Sequence, residues 1–378
     1  MKTKTIAVLL AALLLLSMGP SLATGEQSLQ RKIVIFDNAV SVKAQAALLE
    51  KAGFGCVKDL PLVNGMVVMV PPQAEAALAN RPGVLRVEND TLVSASGKPS
   101  AVQPPEALPW GIDIIDADLA WTTSTASGVK VAIIDTGIDL SHPDLAANIK
   151  GGINLVNVKK NASDDNGHGT HVAGIVAALD NTIGVVGAGN AASLYAVKVL
   201  DRSGMGWTSD IIAGLGWCVD NGIQVANMSL GSNYYNETLH SAVKAANAAG
   251  LIMVAAAGND GAAVDYPAAL PEVIAVSATD SNNNVTSWSS RGPEVLVAAP
   301  GSNIYSTYKG GAYASMSGTS MAAPHVAGAI ALKLQVAPGL TPAQMVILLA
   351  QTATPLSGAT ADAQGAGLVN ALALVNAE

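Results

Sequence analysis

At 378 residues the chain has room for two domains, or for one large α/β domain with accessories. Half of its residues are hydrophobic, 37 are Gly and only 13% are charged, which suits helices packed tightly on a buried parallel sheet. The net charge of −8 argues against a nucleic-acid footprint, and two cysteines, Cys56 and Cys218, do not make a disulfide framework.

In chain order, Lys2 and Lys4 precede an apolar run from Ile6 to about Leu16, and Ser21-Leu22-Ala23 follows with small residues at cleavage positions. Residues 1–23 therefore read as a secretory signal peptide, with an N-terminal anchor as the alternative. Later apolar runs are interrupted by Gly, Asn and Asp, so no later segment reads as a membrane span.

Residues 31–95 have the order β-α-β-β-α-β. Strands are expected over 32–36, 57–62, 65–70 and 84–87, with Asn64-Gly65 as a hairpin turn, and helices over 41–52 and 72–80. This is the order of a small α+β ferredoxin-like domain. Residues 94–105, rich in Ser, Gly and Pro, read as an exposed linker and a natural cleavage site. The expected division is thus 24–104 for the small unit with its linker and 105–378 for the large one. From Pro105 onward 10 Lys and Arg stand against 21 Asp and Glu, whereas residues 24–104 hold 8 against 7. The negative charge belongs to the large unit.

In the large unit, strands are expected over 131–134, 194–200, 225–230, 251–257, 273–278 and 295–299. Helices are expected over 168–179, 211–219 and 238–249. Such alternation predicts an α/β fold, a three-layer α/β/α sandwich around a mainly parallel sheet whose strand ends carry the chemistry. A last, buried helix is expected from Ser320 to about Gln335, with Pro324 tolerated in its first turn.

Four residues at element ends make a chemical set. Asp135 follows a strand, His168 opens a helix within Asn166-Gly167-His168-Gly169-Thr170-His171, Asn259 ends a strand-derived run, and Ser320 opens the last large helix. A serine hydroxyl needs a base to become a nucleophile. A histidine is that base near neutral pH. An aspartate orients the imidazole and stabilises its cation. A side-chain amide, with a backbone N–H, stabilises an oxyanion. His168 with His171 also suggests zinc, but no third ligand has suitable spacing.

Together these residues resemble the subtilisin-like serine proteases. The resemblance spans Pro109 to about Leu374 and rests on three motifs. They are Val131-Ala132-Ile133-Ile134-Asp135-Thr136-Gly137-Ile138-Asp139, Asn166-Gly167-His168-Gly169-Thr170-His171-Val172-Ala173-Gly174, and Gly318-Thr319-Ser320-Met321-Ala322-Ala323-Pro324-His325. The chain order Asp, His, Ser is the subtilisin order. The resemblance implies a secreted, self-processing serine endopeptidase, monomeric and without nucleic-acid or membrane partners. It implies Asp135, His168 and Ser320 as the triad, Asn259 as the oxyanion donor, and structural roles for His171 and His325. It also implies that residues 31–95 are an inhibitory propeptide that assists folding.

By the same resemblance, a peptide substrate pairs as a strand with Ser229-Leu230-Gly231 and with Ser203-Gly204-Met205-Gly206, beside Ala256, Ala257 and Gly258. Asp265 falls at the floor of the primary specificity pocket and Asp260 near its rim, so an acidic floor favours Lys or Arg before the scissile bond. A structural Ca²⁺ is implied, held by the side chains of Asp144 and Asn181, the carbonyls of Leu179, Ile183 and Val185, and Glu106. A second cation site has Glu294 but Leu296 where an acid can stand. The competing readings are a selective processing protease and a binding protein on an inactive protease scaffold.

Overall fold

A computed structural model describes residues 29–95, 98–100 and 107–378. The expected signal peptide and Glu106 lie outside the described residues.

The small unit comprises β1 (Gln30–Phe36), α1 (Val42–Lys51), β2 (Cys56–Leu60), β3 (Gly65–Val70), α2 (Glu75–Ala79) and β4 (Val84–Asn89). Ser41 caps α1 by accepting from the Ala44 N–H, and Asn64 takes a left-handed conformation (φ 49°) between β2 and β3. The antiparallel sheet has the order β2-β3-β1-β4. Alternation along β1 splits its side chains between two cores. Val34 and Phe36 pack with Leu49, Met66, Val68 and Leu78 inside the unit, while Ile33, Ile35 and Val67 join the core of the large unit. The expected helix 72–80 is broken, because Pro72–Ala74 forms a 3-10 turn ahead of α2.

Two short strands follow: β5 (Leu92–Ala95), which runs into the start of the segment expected to be a linker, and β6 (Lys98–Ser100) within that segment. The large unit then contributes α3 (Trp110–Ile114), α4 (Ala117–Ala120), β7 (Lys130–Asp135), β8 (Ile149–Asn154), α5 (His168–Ala177), β9 (Ser193–Lys198), β10 (Met205–Trp207) and α6 (Thr208–Asp220). After these come β11 (Val225–Met228), β12 (Leu230–Gly231), α7 (Glu237–Ala248), β13 (Ile252–Ala256), β14 (Ile274–Thr279), β15 (Val295–Pro300), β16 (Ile304–Tyr308) and β17 (Ala312–Ser317). The chain closes with α8 (Thr319–Val336), α9 (Pro342–Thr352), α10 (Ala361–Gln364) and α11 (Ala371–Asn376).

Seven strands form one sheet in the order β15-β14-β13-β11-β7-β9-β8, and every pairing is parallel. The inner strands β13 and β14 are buried at every residue. Val131, Ile133, Val254 and Val276 face α5 and α8, and Ala132, Ile134, Met253 and Ala255 face α6 and α7. The three-layer sandwich expected from the sequence is therefore present. Strand β8 was not anticipated, since Ile-Lys-Gly-Gly-Ile-Asn lacks a strand pattern; it is held at the edge by β9 alone.

Candidate active site

Strand β7 ends on Asp135, which is fully buried, and α5 begins on His168. The imidazole Nδ1 lies 2.8 Å from Asp135 Oδ1 and 2.9 Å from Oδ2. A carboxylate in that position keeps the proton on Nδ1 and leaves Nε2 as the basic nitrogen. The approach of α5 to β7 requires Gly169, because a Cβ there would lie 2.2 Å from the Gly137 carbonyl oxygen.

A buried carboxylate that the motifs did not single out sets this junction. Asp164 accepts from the N–H groups of Asn166, Gly167 and Thr170 (each 2.9 Å) and from the hydroxyls of Thr136 (2.9 Å) and Thr170 (2.6 Å). The Thr136 hydroxyl in turn accepts from the Gly169 N–H at 2.9 Å. The strand end bearing Asp135 and the helix start bearing His168 are thus tied through one acid. Buried Lys198 adds to this, donating to the carbonyls of Thr136 (2.5 Å) and Leu200 (2.9 Å). In sequence, Asp164-Asp165-Asn166-Gly167 reads only as a turn.

Ser320 is the second residue of α8. Its backbone N–H belongs to the first turn, where no intrahelical acceptor exists. Pro324 sits in the second turn, not the first as expected from sequence. A proline there cannot donate to the carbonyl four residues earlier, which is that of Ser320. The Ser229 hydroxyl fills the gap, donating to the Ser320 carbonyl at 2.7 Å. The Ser320 hydroxyl donates back to the Ser229 carbonyl at 3.1 Å. Serine and proline thus exchange one helical bond for a link between α8 and the β11–β12 segment.

Asn259 follows β13. Its Oδ1 accepts from the Thr319 N–H (2.8 Å) and hydroxyl (3.0 Å), and the Thr319 hydroxyl accepts from the Gly258 N–H (3.1 Å). With its oxygen so held, the amide turns its NH₂ away from Thr319. Direct contact therefore joins Asp135 to His168, and joins Asn259 to the residue before Ser320. Helices α5 and α8, which carry His168 and Ser320, pack on each other. His171 donates from Nε2 to the Ile304 and Ala314 carbonyls (3.0 and 3.1 Å), and burial pushes it down to about 3. Burial likewise pushes His325 down to about 4. Both are neutral core residues near pH 7.

Strand β5 of the chain itself lies between β10 and β12, antiparallel to both. Leu92, Val93 and Ser94 pair with Trp207, Gly206 and Met205, while Ser94 and Ala95 pair with Gly231 and Leu230. Of the expected substrate edges, Met205, Gly206, Leu230 and Gly231 pair. Ser203 and Gly204 do not; they form the preceding turn on Asp201. Ala257 accepts from the Asp265 N–H (2.9 Å) and donates to the Val276 carbonyl (3.0 Å), which fixes the strand exit after Ala256.

Gly231, Ser232, Asn233, Asn259, Asp260 and Asp265 line one concavity beside β5. The Asp265 side chain lies between two glycines. A Cβ on Gly258 (φ 113°) would sit 2.6 Å from Asp265 Oδ2, and one on Gly231 would sit 3.0 Å from Asp265 Cβ. Burial, and then the like charge of Asp260, push the Asp265 carboxyl up to about 6.

Fully buried Asp144 accepts from the Asn181 amide (2.6 Å), the Val185 N–H (3.0 Å) and the Tyr313 hydroxyl (3.2 Å). Each donor is neutral, and burial raises the carboxyl above its ordinary value. Leu179, Asn181, Ile183 and Val185 line one concavity with Ala107. Oxygen donors around an uncompensated buried charge fit a hard cation.

The Subtilase family profile matches residues 126–367. An alkaline protease of Shouchella clausii is 43% identical over 347 residues, 90% of this chain and 88% of that protein. Subtilisin Savinase of Lederbergia lenta is 51% identical over 268 residues, 70% of this chain and 98% of that protein. Subtilisin E of Bacillus subtilis strain 168 is 41% identical over 359 residues, 92% of this chain and 91% of that protein.

Proposed function

This chain belongs to the subtilase family, and on that premise we propose how its own residues hydrolyse peptide bonds. The observation that carries the reading is the buried Asp135–His168 pair, 2.8 Å apart, at the C-terminal end of β7, with Ser320 opening α8, the helix that packs on α5. The Ser320 hydroxyl leaves the Ser229 carbonyl for His168 Nε2, gives up its proton there and attacks the substrate carbonyl. The oxyanion is met by the Ser320 N–H and the Asn259 amide, whose orientation Thr319 maintains. His168 then protonates the departing amine, and water hydrolyses the acyl-enzyme by the same route. The substrate lies as a strand between β10 and β12, where main-chain bonds make binding tolerant of sequence. Asp265 supports a preference for Lys or Arg before the scissile bond once its carboxyl is ionised.

Residues 24–104 act as a propeptide, both folding aid and inhibitor, and β5 in the cleft supports that role. Residues 1–23 direct secretion, and the mature enzyme works outside the cell as a monomer. Among the described residues no helix is long and apolar enough to cross a membrane. A structural Ca²⁺ on Asp144, Asn181, the carbonyls of Leu179, Ile183 and Val185, and Glu106 would neutralise the buried carboxylate and brace the loop after α5.

A serine-directed fluorophosphonate tests the assignment. Labelling is expected on Ser320 and is lost in Ser320→Ala together with peptide hydrolysis. A folded mature chain that resists the probe would be a binding protein on an inactive scaffold.

A further inference from the structure

One buried amide stands behind the nucleophile. Asn227, the third residue of β11, is fully buried. It lies opposite Ile133 of β7 and Val254 of β13, and both of those side chains belong to the apolar layer that packs against α8. Packing alone asks for a third aliphatic residue at this position. The amide uses one of its ends and strands the other. Its Nδ2 donates to the Ser229 hydroxyl at 2.9 Å, while Oδ1 is buried without a partner among the described residues. An unpaired buried acceptor is destabilising, so the residue is costly to the fold and calls for a reason other than packing.

The bonds around the amide fix its direction. The Ser229 hydroxyl has a single hydrogen, which goes to the Ser320 carbonyl at 2.7 Å, the carbonyl that Pro324 leaves without a helical donor. The Ser229 oxygen can then only accept, so the group facing it is the NH₂. A run of one sense results, from the Asn227 amide to the Ser229 hydroxyl to the Ser320 carbonyl. The Ser320 hydroxyl closes back on the Ser229 carbonyl at 3.1 Å. Without the amide's donation, the Ser229 hydroxyl is free to swing its hydrogen away from Ser320. The bond it makes there holds Ser320 in the first turn of α8, and with it the direction of the nucleophile and of the Ser320 N–H.

Resting on the endopeptidase reading above, we infer that Asn227 is a positioning residue for Ser320 and acts through Ser229. The substrate edges β10 and β12 take no side-chain bond from Asn227, so its effect falls on kcat and not on KM.

The test uses mature enzyme counted by fluorophosphonate titration, with kcat and KM taken from a peptide anilide. Asn227→Leu keeps the branched shape and removes both the donor and the stranded acceptor. It is expected to melt no lower than the parent, to lose kcat about tenfold and to hold KM within about twofold. A merely structural role gives the opposite pattern, a lowered Tm with kcat per active site unchanged, and that result overturns the assignment. Ser229→Ala supplies the second arm. In that background Asn227→Leu is expected to lower kcat by less than about twofold further, whereas losses that multiply overturn the route through Ser229. Asn227→Val, which matches its strand neighbours, is the second apolar variant. If neither variant folds, the amide belongs to the fold and the assignment is lost. A folded parent enzyme that neither labels nor cleaves the anilide sinks the endopeptidase reading itself, and the role of Asn227 with it.

Discussion

The Asn259 amide is aimed by two hydrogen bonds from Thr319. Asn259→Ala is expected to lower kcat about 10²–10³-fold with little change in KM, in steady-state hydrolysis of a peptide anilide. An unchanged kcat would remove Asn259 from the oxyanion site. Ser229 carries a different load. Its hydroxyl serves the Ser320 carbonyl that Pro324 cannot, so Ser229→Ala leaves a buried acceptor unpaired and is expected to cost about 1–3 kcal/mol, read as a lowered Tm. Asp265 sets the third expectation. Its carboxyl is raised to about 6, so it is neutral below that pH and ionised above it. The ratio of kcat/KM for an Arg substrate over a Phe substrate is expected to rise between pH 5 and 7, and to stay flat in Asp265→Asn. A flat ratio in the parent enzyme would deny the pocket its acidic floor.

At the scale of elements, the small unit meets the large one at the N-termini of two helices. Asp90 accepts from the Ser209 N–H (2.8 Å) and hydroxyl (2.5 Å) at the start of α6. Glu88 accepts from the Thr238 N–H (3.0 Å) and hydroxyl at the start of α7. Arg31 binds Asp90 and lies over the Trp207 ring, 5.0 Å from its centroid, and Lys58 pairs with Asp210. Carboxylates at helix starts meet unpaired N–H groups and the positive end of the dipole. Charge-assisted bonds of this kind are worth about 1.5–3 kcal/mol each, so Asp90→Ala is expected to weaken inhibition by the released prosegment about 10–100-fold. Titrating mature enzyme with the two prosegments measures this, and equal potency would refute it. The β-α-β-β-α-β order was legible because each element is local: an alternating strand, a capped helix, an Asn-Gly turn. Strands β5 and β6 were not, since strand addition uses main-chain groups and leaves no side-chain pattern. The β16–β17 hairpin escaped notice likewise; it packs against α5, and a sequence window does not include its partner.

For the whole molecule, the loop after α5 holds Asp144 without a cationic partner among its hydrogen-bond donors. Strong chelator is expected to lower Tm by several degrees, and Asp144→Asn to abolish the difference between chelated and Ca²⁺-supplemented protein. An identical Tm in both conditions for the parent enzyme would remove calcium from the account. Sequence alone determined the chemical inventory: Asp135 after a strand, His168 and Ser320 at helix starts, Asn259 after a strand. These are residue types at element ends, and element ends follow from local periodicity and caps. Tertiary structure alone decided the rest. Asp164 became a support because folding brought Thr136 onto the carboxylate oxygen that Asn166 and Gly167 already share, and Thr319 because folding set it against Gly258 and Asn259. Pro324 found its compensation in Ser229, 95 positions earlier in the numbering. Asp265 turned between Gly231 and Gly258, and β5 took a register that sets Ala95 against Leu230. Each of these depends on which distant backbone lies opposite, and pairing between remote strands and loops is settled only when the sheet and both helical layers close.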